Sequence, residues 1–140
     1  MRKQEEMRSL WPKIDSKVVD TPIRILKEQT DLFNAQMNGL LRCALKRRKK
    51  SDSVFDTSYD YIAGLVITTP ALPDFSMSLV EVKYLVAEAY PCVVINSISE
   101  KYEATGQKAE NAKDFRNILK SILNSLQIKK ALQNMLAQDI

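Results

Sequence analysis

The sequence predicts an α+β domain with one N-terminal helix, a four-stranded antiparallel meander sheet and two C-terminal helices packed on the sheet. Two segments, 20–39 and 112–138, repeat apolar residues at helical spacing. Four stretches between them alternate between apolar and polar residues or are dense in β-branched ones, which is typical of strands. The short connections between these stretches favour antiparallel neighbours, and helices following a sheet indicate the α+β class.

Residue types at both ends of segment 20–39 define the first helix. Asp20 or Thr21 can cap its N-terminus, and Pro22 suits the first turn, where no backbone N–H is missed. Asn38 and Gly39 end it, because both tolerate the left-handed conformation of a C-terminal cap. The face predicted to turn inward carries Ile25, Leu26, Gln29, Leu32, Phe33 and Gln36.

The four predicted strands begin with the alternation of Leu41, Cys43 and Leu45. YIAGLVITTPAL is the second strand, and prolines stop it. In the third, SMSLVEVKYLV, strict alternation places Val80, Val82 and Tyr84 on one face and Met77, Leu79, Glu81 and Lys83 on the other. The fourth, YPCVVINSI, is apolar on both faces, so we expect both to be covered. SEKYEATGQKAEN then reads as a polar loop around Gly106.

Segment 112–138 predicts a helix pair. Asn124 or Ser125 breaks the register and can cap the second helix. The inward residues are Phe115, Ile118, Leu119, Ile122 and Leu123 in the first helix and Ile128, Leu132, Met135 and Leu136 in the second. Residues 1–19 form a polar lead-in whose Trp11 we expect to pack back on the domain, and 20–140 form the single domain.

The composition excludes several kinds of site. Histidine is absent, which removes Ser-His-Asp and Cys-His catalysis and the commonest metal ligand. Three glycines cannot build a phosphate-binding loop. We therefore expect a non-enzymatic protein without cofactor or metal. Two cysteines imply no disulfide framework, no apolar run could span a membrane, and the charged start is no secretory signal, so we expect a bacterial cytoplasmic protein.

The stretch LRCALKRRKK is the strongest candidate for a binding site. Residues 1–50 carry 13 Lys or Arg against 6 Asp or Glu, whereas residues 51–90 carry 1 against 6, so positive charge is concentrated. A basic strand end could neutralise phosphates, or it could be a solvated end whose like charges discourage edge pairing, which we favour. No aromatic residue interleaves with the cations to stack on bases. The candidate nucleic-acid contacts are Arg42, Lys46, Arg47, Arg48, Lys49 and Lys50.

Four weaker candidates have simpler explanations. QIKKALQNMLAQ resembles the recognition helix of a helix-turn-helix, but its preceding turn is short and lacks glycine, so a helix pair covering the sheet is favoured. Cys43 and Cys92 lack the C-x-x-C spacing, so we expect buried inert thiols. Carboxylates that could bind a hard metal are better explained as residues of a solvated connector: Asp52, Asp56, Asp60, Glu81 and Glu88. Tyrosines that could line a pocket are better explained as packing residues: Tyr59, Tyr61, Tyr84 and Tyr90.

Several segments together resemble a family of small bacterial α+β proteins without an established function. They are TPIRILKEQTDLFNAQMNGLL, ITTPALPDFSMSLVEVKY, YPCVVI and FRNILKSILNSLQIKKALQNMLAQ. The family pattern has a T-P-x-x-[IL]-L-x-x-Q helix, a YPV strand and a terminal helix pair, and the likeness covers roughly residues 20–138. Cys92 replaces the usual valine, and Lys83 and Tyr84 stand where the family has a histidine-containing stretch. The resemblance implies the α+β fold and no activity.

Three functions remain open on the sequence. The one we expect is a protein-interaction or self-association module, with a homodimer plausible, because an open sheet has edges that must be paired, covered or charged. The alternative is a nucleic-acid-associated accessory protein that binds weakly and without sequence preference through the basic run. An enzyme with a Lys, Tyr or carboxylate centre is the third, and no residue singles it out. No small-molecule ligand and no membrane contact is evident.

Overall fold

The structure, a computed structural model, describes residues 8–15, 20–50, 58–98 and 106–139. The described residues have the predicted α+β class, with three helices and one antiparallel sheet. Within these residues no helix is both long and apolar enough to cross a bilayer. In chain order the elements are α1 (Pro22–Met37), β1 (Arg42–Lys49), β2 (Tyr61–Thr69), β3 (Leu72–Tyr84), β4 (Cys92–Asn96), β5 (Gln107–Ala109), α2 (Ala112–Leu123) and α3 (Leu126–Leu136).

Helix α1 has the predicted caps. The Thr21 hydroxyl accepts the N–H of Arg24, and Asn38 and Gly39 adopt positive φ angles of 50° and 85° at the C-terminal end. The buried face is concentrated in the first half of the helix, at Pro22, Ile25, Leu26 and Thr30. Leu32, predicted to face inward, is exposed because it borders an open groove between α1 and α3.

The sheet is a meander with the order β1-β2-β3-β4-β5, so it has five strands and not the predicted four. The fifth strand lies inside the segment predicted to be a loop, where Ala109 pairs with Cys92 of β4. Ala109 is buried while Gln107 and Lys108 are exposed, so a three-residue strand leaves no readable alternation in the sequence. Strand β5 forms because it pairs with β4, and the local sequence does not reveal this pairing.

A β-bulge in β3 breaks the strict alternation that the sequence predicted. The register with β2 shifts between Leu65, which pairs with Val80, and Val66, which pairs with Ser78. Leu79 is the extra residue, and Leu79 and Val80 are therefore both buried although they are adjacent. Placing Leu79 on the face opposite Val80 was wrong for this reason.

The core lies between one sheet face and the helices. On β4, Cys92 and Val94 are buried beneath the helices, whereas Val93 and Ile95 on the outer face are only half-buried, so full cover exists on one face. Every helix and every strand contributes residues to the core. Core residues include Leu26, Leu41, Ile67, Val82, Ala109, Phe115 and Ile128.

The C-terminal helix pair has the predicted boundary. Asn111 caps α2 by accepting the N–H of Asp114, and Ser125 caps α3 by accepting the N–H of Ile128. Trp11, in contrast, does not pack on the domain: its side chain is 80% exposed. The described lead-in residues 8–15 have no helix or strand that could hold the indole against the core.

Candidate functional site

The basic run forms the C-terminal half of β1, the outermost strand of the sheet. Residues 46–49 are all exposed and remain paired with β2, from Lys46 opposite Gly64 to Lys49 opposite Tyr61. Arg42 is exposed at the start of the strand, and Lys50 follows its end, where its N–H donates to the Asp60 carbonyl. The sheet therefore keeps all six candidate cations along one edge.

Strand alternation divides the cations between the two faces of the sheet. Arg48 lies on the outer face, where its guanidinium forms an ion pair with Glu81 of β3 at 3.1 Å. The strand between them carries Gly64, whose missing side chain leaves room for this pair. Arg47 has the opposite orientation, and it lines a cleft on the helix face with two tyrosines.

The side chain of Asn34 blocks part of the β1 edge. Its Oδ1 accepts the N–H of Cys43 at 2.7 Å, and its Nδ2 donates to the Cys43 carbonyl at 2.9 Å. A helix residue thus supplies both hydrogen bonds that a neighbouring strand would make. The sequence did not point to Asn34, because nothing in a polar residue near the end of a helix indicates which strand it will reach.

The contacts of Cys43 also define which backbone groups of β1 face away from the sheet. Cys43 turns its N–H and C=O to Asn34, and Lys50 turns its N–H to β2. In an antiparallel pair this orientation alternates by residue, so the odd-numbered residues face outward. Beyond the block at Cys43, the outward main-chain donors and acceptors belong to Leu45, Arg47 and Lys49.

The cleft on the helix face has a volume of about 560 Å³, within the size range of small-molecule sites. The rings of Tyr61 and Tyr84 stand with centroids 6.3 Å apart and planes tilted by 42°. The N-terminus of α1 and the segment after β3 complete the apolar wall, with Pro22, Ile23, Val86 and Ala89. Tyr61 and Tyr84 therefore line a pocket and also pack in or against the hydrophobic core, which agrees with the packing explanation.

The other two tyrosines do not line this cleft. Tyr90 packs its ring against Phe115 with centroids 6.5 Å apart, and its hydroxyl donates to the Asp20 carbonyl. Burial is the main cause that raises the Tyr90 pKa to about 12. Tyr59 is half-buried outside the cleft. Tyr90 thus has the packing role that the sequence favoured.

Two charged groups reach the cleft containing Tyr61 and Tyr84. Asp60 Oδ1 accepts the Val86 N–H at 3.1 Å, which fixes the carboxylate beside the segment after β3. In the described parts of the chain, Arg47 has no carboxylate within ion-pair distance. Burial raises the pKa of the Tyr84 phenol, and the charge of Arg47 opposes this more strongly than Asp60 reinforces it.

The second candidate cavity is the apolar groove between α1 and α3, with a volume of about 170 Å³. Leu32 and Phe33 form one wall, Leu132 forms the other, and the sheet forms the floor. Cys43 reaches this floor, where its thiol lies 3.9 Å from the Thr30 hydroxyl and burial raises its pKa. The groove has no charged lining residue, so it offers packing without an anchoring charge.

The remaining candidates do not assemble into a site. Cys43 and Cys92 are free, buried thiols on β1 and β4, separated by two strands, as expected for packing residues. Asp52 and Asp56 lie outside the described residues. Glu81 pairs with Arg48. In the part of the chain that the structure describes, no three Cys, Asp or Glu side chains are grouped as metal ligands.

The helix pair α2–α3 is joined by Asn124 and Ser125. Ile128 and Met135 of α3 are buried, so one face of this helix packs on the domain. Lys129 and Lys130 are exposed beside them as isolated cations. This arrangement is that of a helix covering the core.

Arg47 is the candidate residue whose position the sequence could have revealed. It shares the parity of the core residues Cys43 and Leu45, so alternation alone assigns it to the helix face.

Comparison with protein-family models, with curated proteins and with solved structures finds no match for this chain.

Proposed function

We propose that this protein is a non-enzymatic interaction module that adds an extended, acidic segment of a partner protein to the free edge of β1. The observation that carries the proposal is the combination of outward main-chain groups at Leu45, Arg47 and Lys49 with four exposed cations at 46–49. Edge strands bind extended peptides by main-chain hydrogen bonds, and side chains give the specificity.

Charge determines the kind of partner. A bound strand would lie within about 5 Å of β1, so its side chains would stand beside those of the basic run. Acidic side chains would meet Lys46 and Arg48 on the outer face and Arg47 and Lys49 on the helix face. Pairing of β1 with a second copy of itself would set these cations against each other, which is unfavourable. A partner of different sequence is therefore proposed over a homodimer at this edge.

The Asn34 side chain restricts the length of the added strand. Because its amide already satisfies Cys43, an incoming segment can pair only from Leu45 onward. Three outward residues and a few exposed ion pairs, each worth about 0.2–1 kcal/mol, support weak binding. We expect a dissociation constant on the order of 0.1 mM, which is about −5.5 kcal/mol.

Weak binding of nucleic acid is the second candidate, and the exposure of all four cations at 46–49 favours it. Phosphate contacts would need only charge, and the rings of Tyr61 and Tyr84 line the cleft instead of lying between the cations. Such binding would not depend on the main-chain hydrogen-bonding groups of β1, whereas strand addition would. Blocking main-chain hydrogen bonds therefore distinguishes the two functions.

The test uses a fluorescent peptide of alternating Glu and Val and the same peptide with N-methyl groups on alternate amides. Methylation removes main-chain donors while keeping charge and side chains. We expect the first peptide to bind and the methylated one to bind at least about tenfold more weakly. A short DNA duplex, measured at low and at high salt, tests the second candidate.

Lys49→Pro and Lys49→Ala provide a matched pair of variants. Both lose the same charge, but only proline removes the outward N–H, and the residue lies at the end of an edge strand where proline is tolerated. The alanine variant should bind the peptide better than the proline variant. Equal binding of the methylated and unmethylated peptides, or tighter binding of the duplex, would overturn strand addition.

A further inference from the structure

The cleft lined by Tyr61, Tyr84 and Arg47 has properties that strand addition does not use. Tyr84 is only 6% exposed overall, yet it lines the cleft together with Tyr61 and Arg47. The cleft volume of about 560 Å³ exceeds what a few side chains at a strand edge would need. Flat aromatic walls around such a space suit a planar, apolar body.

We infer that this cleft binds a small aromatic carboxylate, with its ring packed on the wall that Tyr61 and Tyr84 form together and its carboxylate at Arg47. The two tyrosine rings are tilted by 42°, so a ring in the cleft can contact one by stacking and the other by its edge. The planar guanidinium of Arg47 matches a carboxylate with two parallel hydrogen bonds.

Arg47 differs from its neighbour Arg48 in having no ion-pair partner among the described residues. Arg48 is paired with Glu81 on the outer face, whereas Arg47 has no carboxylate within ion-pair distance among the described residues. A cation at the mouth of a mostly apolar cleft selects anions over neutral ligands of the same shape, because the neutral ligand leaves the charge without a partner.

Asp60 is the opposing charge in the same cleft. Its Oδ1 is held by the Val86 N–H, so the carboxylate has a fixed position at the segment after β3. At the Tyr84 hydroxyl the charge of Arg47 opposes the rise in pKa that burial causes, whereas the charge of Asp60 adds to it. Removing the Asp60 charge without disturbing its hydrogen bond should therefore improve the binding of a carboxylate.

The test is a titration with phenylacetate, followed by the NMR signals of the tyrosine rings. Tyr61→Phe and Tyr84→Phe assign these signals. Phenylacetamide keeps the shape without the charge, and cyclohexylacetate keeps the charge without the aromatic ring. We expect phenylacetate to shift the Tyr61 and Tyr84 signals, and both comparison compounds to bind at least several-fold more weakly.

Three charge variants are expected to change phenylacetate binding in three different ways. Arg47→Gln should weaken phenylacetate binding about tenfold, and Arg48→Gln, with the same charge change one residue away, should leave it unchanged. Asp60→Asn retains an oxygen that can accept the Val86 N–H and should tighten binding a few-fold. The thermal unfolding of each variant checks that the fold is retained.

Several results would overturn the inference: equal weakening by Arg47→Gln and Arg48→Gln, equal affinity for phenylacetamide, or unshifted Tyr61 and Tyr84 signals at the solubility limit of phenylacetate. The inference is independent of strand addition, because phenylacetate needs no free edge. Lys49→Pro should impair the peptide alone, so failure of one proposal can be told from failure of the other.

Discussion

Replacing Asn34 by alanine tests the block on the β1 edge and the stability it provides. The substitution removes two hydrogen bonds of 2.7 and 2.9 Å to the backbone of Cys43. Each is worth about 0.5–1.5 kcal/mol, and the upper part of this range applies because Cys43 is buried and water replaces the amide poorly. Alanine returns about 0.5 kcal/mol of helix propensity. The free energy of unfolding should therefore fall by about 2 kcal/mol.

Urea denaturation measures this loss, and amide hydrogen exchange at Cys43 locates it. Gln36→Ala is the matched control, since Gln36 is exposed on the same helix, and it should change stability by less than about 0.5 kcal/mol. Asn34→Asp keeps the acceptor for the Cys43 N–H but opposes a carboxylate to the Cys43 carbonyl, so it should not rescue. An Asn34→Ala protein with unchanged midpoint and unchanged Cys43 exchange would refute the reasoning.

The same substitution connects stability with the proposed function. Without the amide of Asn34, the N–H and C=O of Cys43 join the outward groups of Leu45, Arg47 and Lys49. The acidic alternating peptide should then bind more tightly to Asn34→Ala than to the natural protein, although the variant is less stable. Weaker binding in proportion to lost stability would show that Asn34 supports the site rather than limiting it.

Three further predictions concern other parts of the chain. A Cβ at Gly106 would overlap a β4 side chain, so Gly106→Ala should lower the free energy of unfolding, measured by urea denaturation, by about 1–3 kcal/mol. Gly64→Ala, whose Cβ stays 3.2 Å from its nearest atom, should lower it less. The reverse order would contradict the packing. Trp11, the one tryptophan of the chain, should be quenched by iodide as readily in the folded as in the unfolded protein, at low and high protein concentration; a concentration-dependent loss of quenching would indicate self-association through the lead-in. Burial raises the pKa of Cys92 from 9.0 to about 12, so the folded state keeps a proton that the unfolded state releases, and stability should be constant below about pH 9 and fall as pH rises toward 12. Cys92→Ala should reduce that fall and leave the part due to Tyr90; an unchanged slope would refute it.

The candidate site was only partly predictable. Five consecutive cations and the nearby Arg42 are visible in the sequence, and alternation from Cys43 suffices to place Arg47 and Arg48 on opposite faces. The partners of these two residues are not readable in the same way. Glu81 lies 33 residues beyond Arg48, and Tyr84 reaches Arg47 only because β3 pairs with β2 in one register. The cleft exists through that register and through the position of α1.

The sequence by itself determined the features that depend on neighbouring residues. Thr21 and Ser125 begin helices and Asn38 ends one because their side chains or backbones satisfy groups within one turn, and apolar spacing defines which helix faces can be buried. The tertiary structure decided the rest. Strand β5, the bulge at Leu79 and the reach of Asn34 to Cys43 depend on pairing between segments far apart in the chain. Their physical cause is that hydrogen-bond partners in a sheet are chosen by packing across the whole core, which no local pattern records.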